Sequence, residues 1–267
     1  MLQHGTDSEI LPSRVVVIGA DGFVGNAICT QVAAEGVDVL RLGRAEVDLL
    51  APGAAMALDD VLRPGDAVVA ASAIAPTKSL EMLQQNLVLF GAIAEALAAR
   101  GDDITHVLNI SSDAVFGDTP TPLNETSALA PESYHGLMHL SREVHFKTTL
   151  TVPLASLRPT LIYGAQDPHN GYGPNKFRRQ LILKHRSHGA LNAVTGHVTS
   201  FRDIAEMVVG HFDKPVAIAG SPRSGPMPHN GFRPFEISAC QRAFPMFRFT
   251  PIAEGLKRVH QAEFGGV

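Results

Sequence analysis

The chain of 267 residues has no tryptophan, two cysteines and three tyrosines, and only 18% of its residues are charged. Cys29 and Cys240 lie far apart, and the N-terminus lacks the charged, apolar and small-residue regions of a secretory signal. The expected compartment is therefore the cytoplasm, and a disulfide framework is not expected. No uninterrupted apolar run reaches the roughly 18 residues of a membrane span, so no membrane partner is expected. A formal net charge of -4 gives no sequence-wide attraction to phosphate backbones or anionic lipid, so nucleic acid is not expected either. That leaves a small molecule as the expected partner.

What the chain does have is apolar content, 45% of its residues, enough to bury a full core. Short runs rich in valine and isoleucine alternate with longer segments of helical spacing, the pattern of β-α units around a parallel sheet. The expected strands are RVVVIGA (Arg14 to Ala20), VDVLRL (Val37 to Leu42), DAVVAAS (Asp66 to Ser72), THVLNISS (Thr105 to Ser112) and LASLRP (Leu154 to Pro159), each apolar on both faces. GNAICTQVAAEG, SLEMLQQNLVLFGAIAEALAARG and YHGLMHLSREVHFKTTL read as helices, the first two stopped by Gly36 and Gly101. Further on, KPVAIAG (Lys214 to Gly220) reads as a short strand and IAEGLKRVHQAEF as a closing helix, while Met1 to Ser13 reads as a loosely ordered lead-in. The expected fold class is α/β: a Rossmann-like doubly wound parallel sheet over residues 14–162. A smaller, partly interwoven substrate lobe over residues 163–267 opens with the Gly/Pro/Asn-rich loop YGAQDPHNGYGPNKF.

The motif GADGFVG follows the first strand and opens a helix, the context in which glycines bind a dinucleotide. Gly19 permits the tight turn, Gly22 lets a diphosphate approach the backbone, and Gly25 lets helix pack on strand, with Asp21, Phe23 and Val24 filling the motif. The second strand ends RLGR, with no acid to hold ribose hydroxyls, and Arg44 just beyond it would accept a 2'-phosphate. The expected cofactor is therefore NADP, with NAD as the alternative.

Together, GADGFVG, RAEVDLL, NISSDAVFG, LRPTLIYG, GPNKFRRQ and SFRDIAEMV resemble, in order and spacing, the extended short-chain dehydrogenases/reductases. This group, the NAD-dependent epimerase/dehydratase family, includes nucleotide-sugar epimerases and dTDP-4-dehydrorhamnose reductase. The resemblance implies an oxidoreductase or epimerase acting on a sugar or sugar nucleotide. It implies that Asp48 and Leu49 lie against the adenine with Ala71 beneath it, that Pro159 borders the cofactor, and that Ser112 beside Asp113 anchors the substrate oxygen. Lys78 would border the nicotinamide, and Asn175, Lys176, Arg178 and Arg179 would grip an anionic substrate. The helices around Leu89 and Leu140 correspond to a pair that forms a dimer interface in relatives, so a homodimer is expected.

At the family's YGxSKLxxE helix this chain carries HGLMHLSRE, which puts His135 at the tyrosine position and His139 at the lysine position. Shifting the register by one residue offers Tyr134, whose partner one turn on is then Met138. Histidine can exchange protons near neutral pH without a lysine to help it. Three readings of the pair stand: acid/base work by His135 with His139 as its partner, a site that binds NADP(H) without turnover, and zinc ligation, for which no third ligand is evident. The expectation is no metal.

Overall fold

The computed structural model describes residues 2–8, 10–160, 162, 188–212, 216–220 and 228–264. Six parallel strands, β1 (Arg14–Ile18), β2 (Asp38–Leu42), β3 (Asp66–Ala70), β4 (His106–Ile110), β5 (Leu154–Pro159) and β6 (Gly189–Ala193), form one sheet in the order β2-β1-β3-β4-β5-β6. From β1 the chain moves outward to β2 and then crosses back past β1 to β3 and the rest of the sheet, which makes the β1/β3 boundary the switch point at which such sheets bind ligands. Helices α1 (Phe23–Ala34), α2 (Ala54–Val61), α3 (Leu80–Arg100) and α4 (Tyr134–Thr149) connect the strands. α5 (Phe201–Val209), α6 (Ser238–Ala243) and α7 (Ile252–Phe264) follow β6.

Strand alternation feeds two cores. Val15 and Val17 join Ile28, Val32, Leu108 and Leu157 on one face. Val16 and Ile18 join Leu58, Val68, Ile93, Leu97 and Phe146 on the other. This double covering is why β1, β3 and β4 are buried along their whole length. The expectation fails at β2, which lies at the sheet edge and exposes Asp38 and Arg41.

Two other expectations are corrected, and one element is new. The sixth strand is Gly189–Ala193, paired with β5, whereas residues 216–220 of KPVAIAG carry no strand. The lead-in is not loose at Leu2, which is buried, nor at Gln3, whose backbone pairs in both directions with His188 at 2.9 Å. α2, with Ala54 and Leu58 buried, was not foreseen. Leu80–Asp103 is long and apolar enough by composition to cross a membrane, a test that counting uninterrupted apolar residues misses. In this fold it is a covering helix that buries Leu83, Leu89, Phe90, Ile93 and Leu97.

α4 is placed by two devices. Its N-cap Ser133 accepts a hydrogen bond from the Gly136 N–H, and a Cβ on Gly136 would overlap the carbonyl oxygen of Ala114, so the helix start sits hard against the turn after β4. Two turns on, Glu143 accepts two hydrogen bonds from Arg158 of β5, Nε to Oε1 at 2.9 Å and Nη2 to Oε2 at 2.6 Å, and one from Ser111 Oγ at 2.5 Å.

Candidate active site

The glycine turn after β1 is shaped by contacts that leave no room for side chains. Gly19 has φ +91, and a Cβ there would stand 2.6 Å from the Ser72 nitrogen; one on Gly25 would overlap the Gly19 carbonyl oxygen. Gly22 differs: it is exposed, and the nearest atom to a Cβ would be the Gly19 oxygen at 3.4 Å. Its bareness keeps a lip open in front of α1, which no side chain caps and whose first turn holds no acid. Such a lip fits a diphosphate.

The far rim carries more charge than the sequence suggested. Asp21 lies directly against Gly43, where its carboxylate occupies the space of a Cβ. An acid therefore stands at the end of β2, carried there from the turn after β1. Arg44 is exposed and holds Asp48 at 3.3 Å; Asp48 also accepts from the Leu50 N–H, and Leu49 is buried in the core. Arg41, which sequence reasoning passed over, donates to the Ala20 carbonyl at 3.2 Å and to Asn26 Oδ1 at 3.0 Å, tying β2 to the glycine turn. Phe23 and Val24 are half-buried in the first turn of α1, Ala71 donates its N–H to the Ile18 carbonyl, and Pro159 ends β5 opposite Ala193.

The loop after β3 is held by Asn86 of α3, almost fully buried, whose amide accepts from the Ile74 N–H at 2.9 Å and donates to the Ile74 and Met82 carbonyls and to Thr77 Oγ1. Lys78 is exposed at the end of this loop, next to the α3 N-cap Ser79. After β4, Ser112 caps a 3₁₀ turn: its Oγ accepts from the Ala114 N–H at 3.1 Å and donates to Asp113 Oδ1 at 3.3 Å. Burial pushes the Asp113 carboxyl above its ordinary range, with Arg233 opposing. Arg233 clamps this turn from the distal part of the chain, donating to the carbonyls of Asp113 at 3.1 Å and Phe116 at 2.7 Å. No sequence signal marked it, because its partners lie more than a hundred residues upstream.

The two histidines of α4 do come together, with ring centroids 4.6 Å apart and planes nearly perpendicular. The site face of α4 carries His135, His139 and Arg142; Tyr134 is exposed at the head of the helix. Arg142 was not foreseen. Its Nη1 donates to the Ser72 carbonyl at 2.9 Å and its Nη2 to the Ile110 carbonyl, with His139 Nδ1 3.3 Å from Nη2. A line of contacts therefore runs from Gly19 through Ser72, Arg142 and His139 to His135, along the carboxyl ends of the strands. Ser72 Oγ, His135 Nδ1 and Arg142 Nε on this line are buried polar atoms without a hydrogen-bond partner. Such atoms call for a polar occupant. Among the described residues no three His, Cys, Asp or Glu side chains come together to hold a metal, so zinc has no third ligand there. Asn175, Lys176, Arg178 and Arg179 lie outside the described residues.

Burial, and then the nearby Arg142 cation, push His135 below its ordinary pKa. The same two causes, followed by His135, push His139 well below 6.5. Both rings are neutral at pH 7. Arg142 itself is pushed down by burial to about 10 and stays charged. Above about pH 6.5 the histidines are neutral in the folded and the unfolded chain alike, and no penalty arises. Below it the unfolded chain takes up protons that the folded site resists, so stability falls with pH until the lowered folded values are reached. Each histidine then costs up to about 1.4 kcal/mol per pH unit. Thermal midpoints measured from pH 7.5 to 5.5 are expected to fall less steeply for His139→Gln than for the parent; parallel curves would show that His139 takes up its proton in the folded protein without penalty.

A model described as the NAD dependent epimerase/dehydratase family matches residues 15–205. Over 204 residues the chain is 29% identical to a protein of Streptomyces antibioticus named "Probable dTDP-4,6-dihydroxy-2-methyloxan-3-one 4-ketoreductase", covering 73% of this chain and 66% of that protein. Over 213 residues it is 26% identical to a dTDP-4-dehydrorhamnose reductase of Mycobacterium tuberculosis, covering 75% of this chain and 66% of the relative. The matched part thus spans just under two thirds of these relatives. Among solved structures, UDP-N-acetylglucosamine 4-epimerase from Bacillus cereus superposes with a TM-score of 0.73 at 18% identity, over 94% of this chain and 99% of that one. The dTDP-4-dehydrorhamnose reductase of Bacillus anthracis, solved with NADP, gives 0.70 at 16% identity over 94% and 100%. These structural likenesses show the fold. With a family model spanning residues 15–205 and the glycine turn, serine turn and α4 in the family's order, the chain belongs to the NAD dependent epimerase/dehydratase family.

Proposed function

We propose that this chain is an enzyme, an oxidoreductase or epimerase that uses NADP(H), with NAD as the alternative, on a sugar or nucleotide-sugar-like small molecule. The observation that carries the reading is the line of contacts from Gly19 to His135, which sets a titratable pair at the strand ends beside a turn shaped for a diphosphate. Gly19, Gly22 and Gly25 with Phe23 and Val24 would hold that diphosphate. Asp48, Leu49 and Ala71 would take the adenosine end, Arg44 a 2'-phosphate, and Pro159 would border the ring. The bound nicotinamide supplies hydride chemistry. Ser112 holds the sugar oxygen, exchanging its long bond to Asp113 for one to the substrate. His135, being neutral, would take the hydroxyl proton at Nε2, the ring nitrogen the protein does not enclose, in the oxidative direction and return it in the reductive one. Lys78, Asp113, Asn175, Lys176, Arg178 and Arg179 would contact the substrate, the basic ones favouring an anionic diphosphate. The dTDP-sugar substrates in the relatives' names support this class. The substrate lobe would be residues 163–267, interwoven because β6 completes the sheet of residues 14–162.

Titration with NADPH and NADH, followed by nicotinamide emission, tests the reading. The absence of tryptophan leaves the signal free of energy transfer from it. Binding with NADPH preferred is expected; no binding of either form by the folded protein would remove the function. Because Asp21 sits on the same rim as Arg44, Asp21→Ser is expected to shift the preference toward NADPH about five-fold, the worth of a modest exposed charge term of about 1 kcal/mol. An unchanged ratio would place Asp21 away from the 2'-position.

We also propose a homodimer through α3 and α4. Leu80, Leu87 and Val88 of α3 and Tyr134, Leu137 and Val144 of α4 are exposed at helical spacing on two helices that pack together. An apolar patch of this kind marks a protein interface. Light scattering at micromolar concentration should report twice the 28.4 kDa chain mass, and Val88→Glu with Val144→Glu should halve it. A wild-type species of 28.4 kDa would end the proposal.

A further inference from the structure

Arg142 is the least expected group in the site. It is 1% exposed, and among the described residues its guanidinium meets no carboxylate: the adjacent Glu143 is engaged by Arg158 and Ser111. A buried cation without a counterion is costly and persists where carbonyl dipoles or a ligand compensate it. Here the Ser72 and Ile110 carbonyls do so, at the ends of β3 and β4, and Nε is left without a partner beside them. The third contact is with His139 Nδ1. A guanidinium has donors only, so in that bond the imidazole nitrogen must accept, and its proton must sit on Nε2.

We propose that Arg142 is a positioning residue for the histidine pair: its guanidinium fixes His139 as the Nε2–H tautomer directly behind His135, the ring through which the substrate proton is exchanged. The spacing supports it, since His135, His139 and Arg142 fall on one face of α4 and the guanidinium reaches the site from a turn below. Among the described residues Arg142 stands alone in this role. Asp113, in the turn packed on α4, is engaged by Ser112 and Arg233. On β5, Arg158 is held by Glu143, and on α3 Glu81 and Glu95 are exposed while Arg100 pairs with Asp59. The inference rests on the proposed function, because it assigns Arg142 a part in His135's proton transfer.

Nitrogen-15 correlation spectra of histidine-labelled protein test it without cofactor or turnover. His135→Gln and His139→Gln assign the two rings. The parent should show His139 as the Nε2–H tautomer at neutral pH; the Nδ1–H tautomer would overturn the proposal by itself, whatever the variants do. Arg142→Lys keeps the charge and should leave both rings neutral at pH 7. Arg142→Met removes it and should raise the titration midpoints of the pair by about one unit. Parent-like tautomer and midpoints in Arg142→Met would reduce Arg142 to packing. If that variant does not fold, the parent's tautomer and Arg142→Lys still decide. The two readings fail separately: a His135→Ala variant with full turnover removes the function assigned to His135 while the tautomer result stands.

Discussion

His135→Ala is expected to lower turnover about 100-fold or more while leaving NADPH affinity within a few-fold of the parent. A positioned acid or base contributes roughly 10²–10⁴ in rate. His135 is the ring of the pair that is only half-buried; its Nδ1 is enclosed by the protein, so Nε2 is the nitrogen a substrate hydroxyl can reach. The residues proposed to hold the cofactor's diphosphate and 2'-phosphate lie in the glycine turn and just after β2, which the substitution does not touch. The split between rate and affinity is therefore the signature: equal loss of both would indicate a displaced α4, and unchanged turnover would take His135 out of the mechanism. The pH profile adds a second check. Since burial and Arg142 lower the His135 pKa, oxidative turnover should be flat around pH 7 and fall only in more acid solution. His139→Gln should move that acid limb, because His139 lies between Arg142 and His135 and feels both.

How far the sequence told this depends on the range over which each residue acts. β1, β3 and β4 are legible because both faces bury valine and isoleucine in a run, and the glycine turn because each glycine answers a local demand of the backbone. β6 is not: GALNA has no β-branched residue, and its place beside β5 makes it a strand. Asp21 reads as motif filler until folding lays it on Gly43, and Arg142 reads as a charged residue on an amphipathic helix until its partner proves to be Ser72, 70 residues earlier. The His135 and His139 pairing was legible because helix geometry sets residues four apart on one face. The cation that governs them was not, because it is a contact between distant elements.

Arg158→Ala is expected to destabilise the protein by about 3–5 kcal/mol, the cost of leaving a buried carboxylate without its counterion. Both side chains are nearly inaccessible, and the guanidinium meets Glu143 through two hydrogen bonds while lying 5.1 Å over the Phe116 ring. At about 2–4 °C per kcal/mol for a chain near this size, the thermal midpoint should drop by roughly 6–20 °C. Glu143→Leu combined with Arg158→Met should restore much of the loss, since two apolar groups need no partner. Ser111→Ala should cost only about 1 kcal/mol, because Glu143 keeps Arg158. A midpoint for Arg158→Ala within a degree or two of the parent would mean that solvent reaches Glu143. The double variant also separates stability from chemistry. The Glu143–Arg158 pair fixes α4 to β5 one residue after Arg142 and one turn after His139. If the repacked core restores the midpoint but not turnover, the ion pair is needed for where it holds the histidines rather than for the energy it contributes.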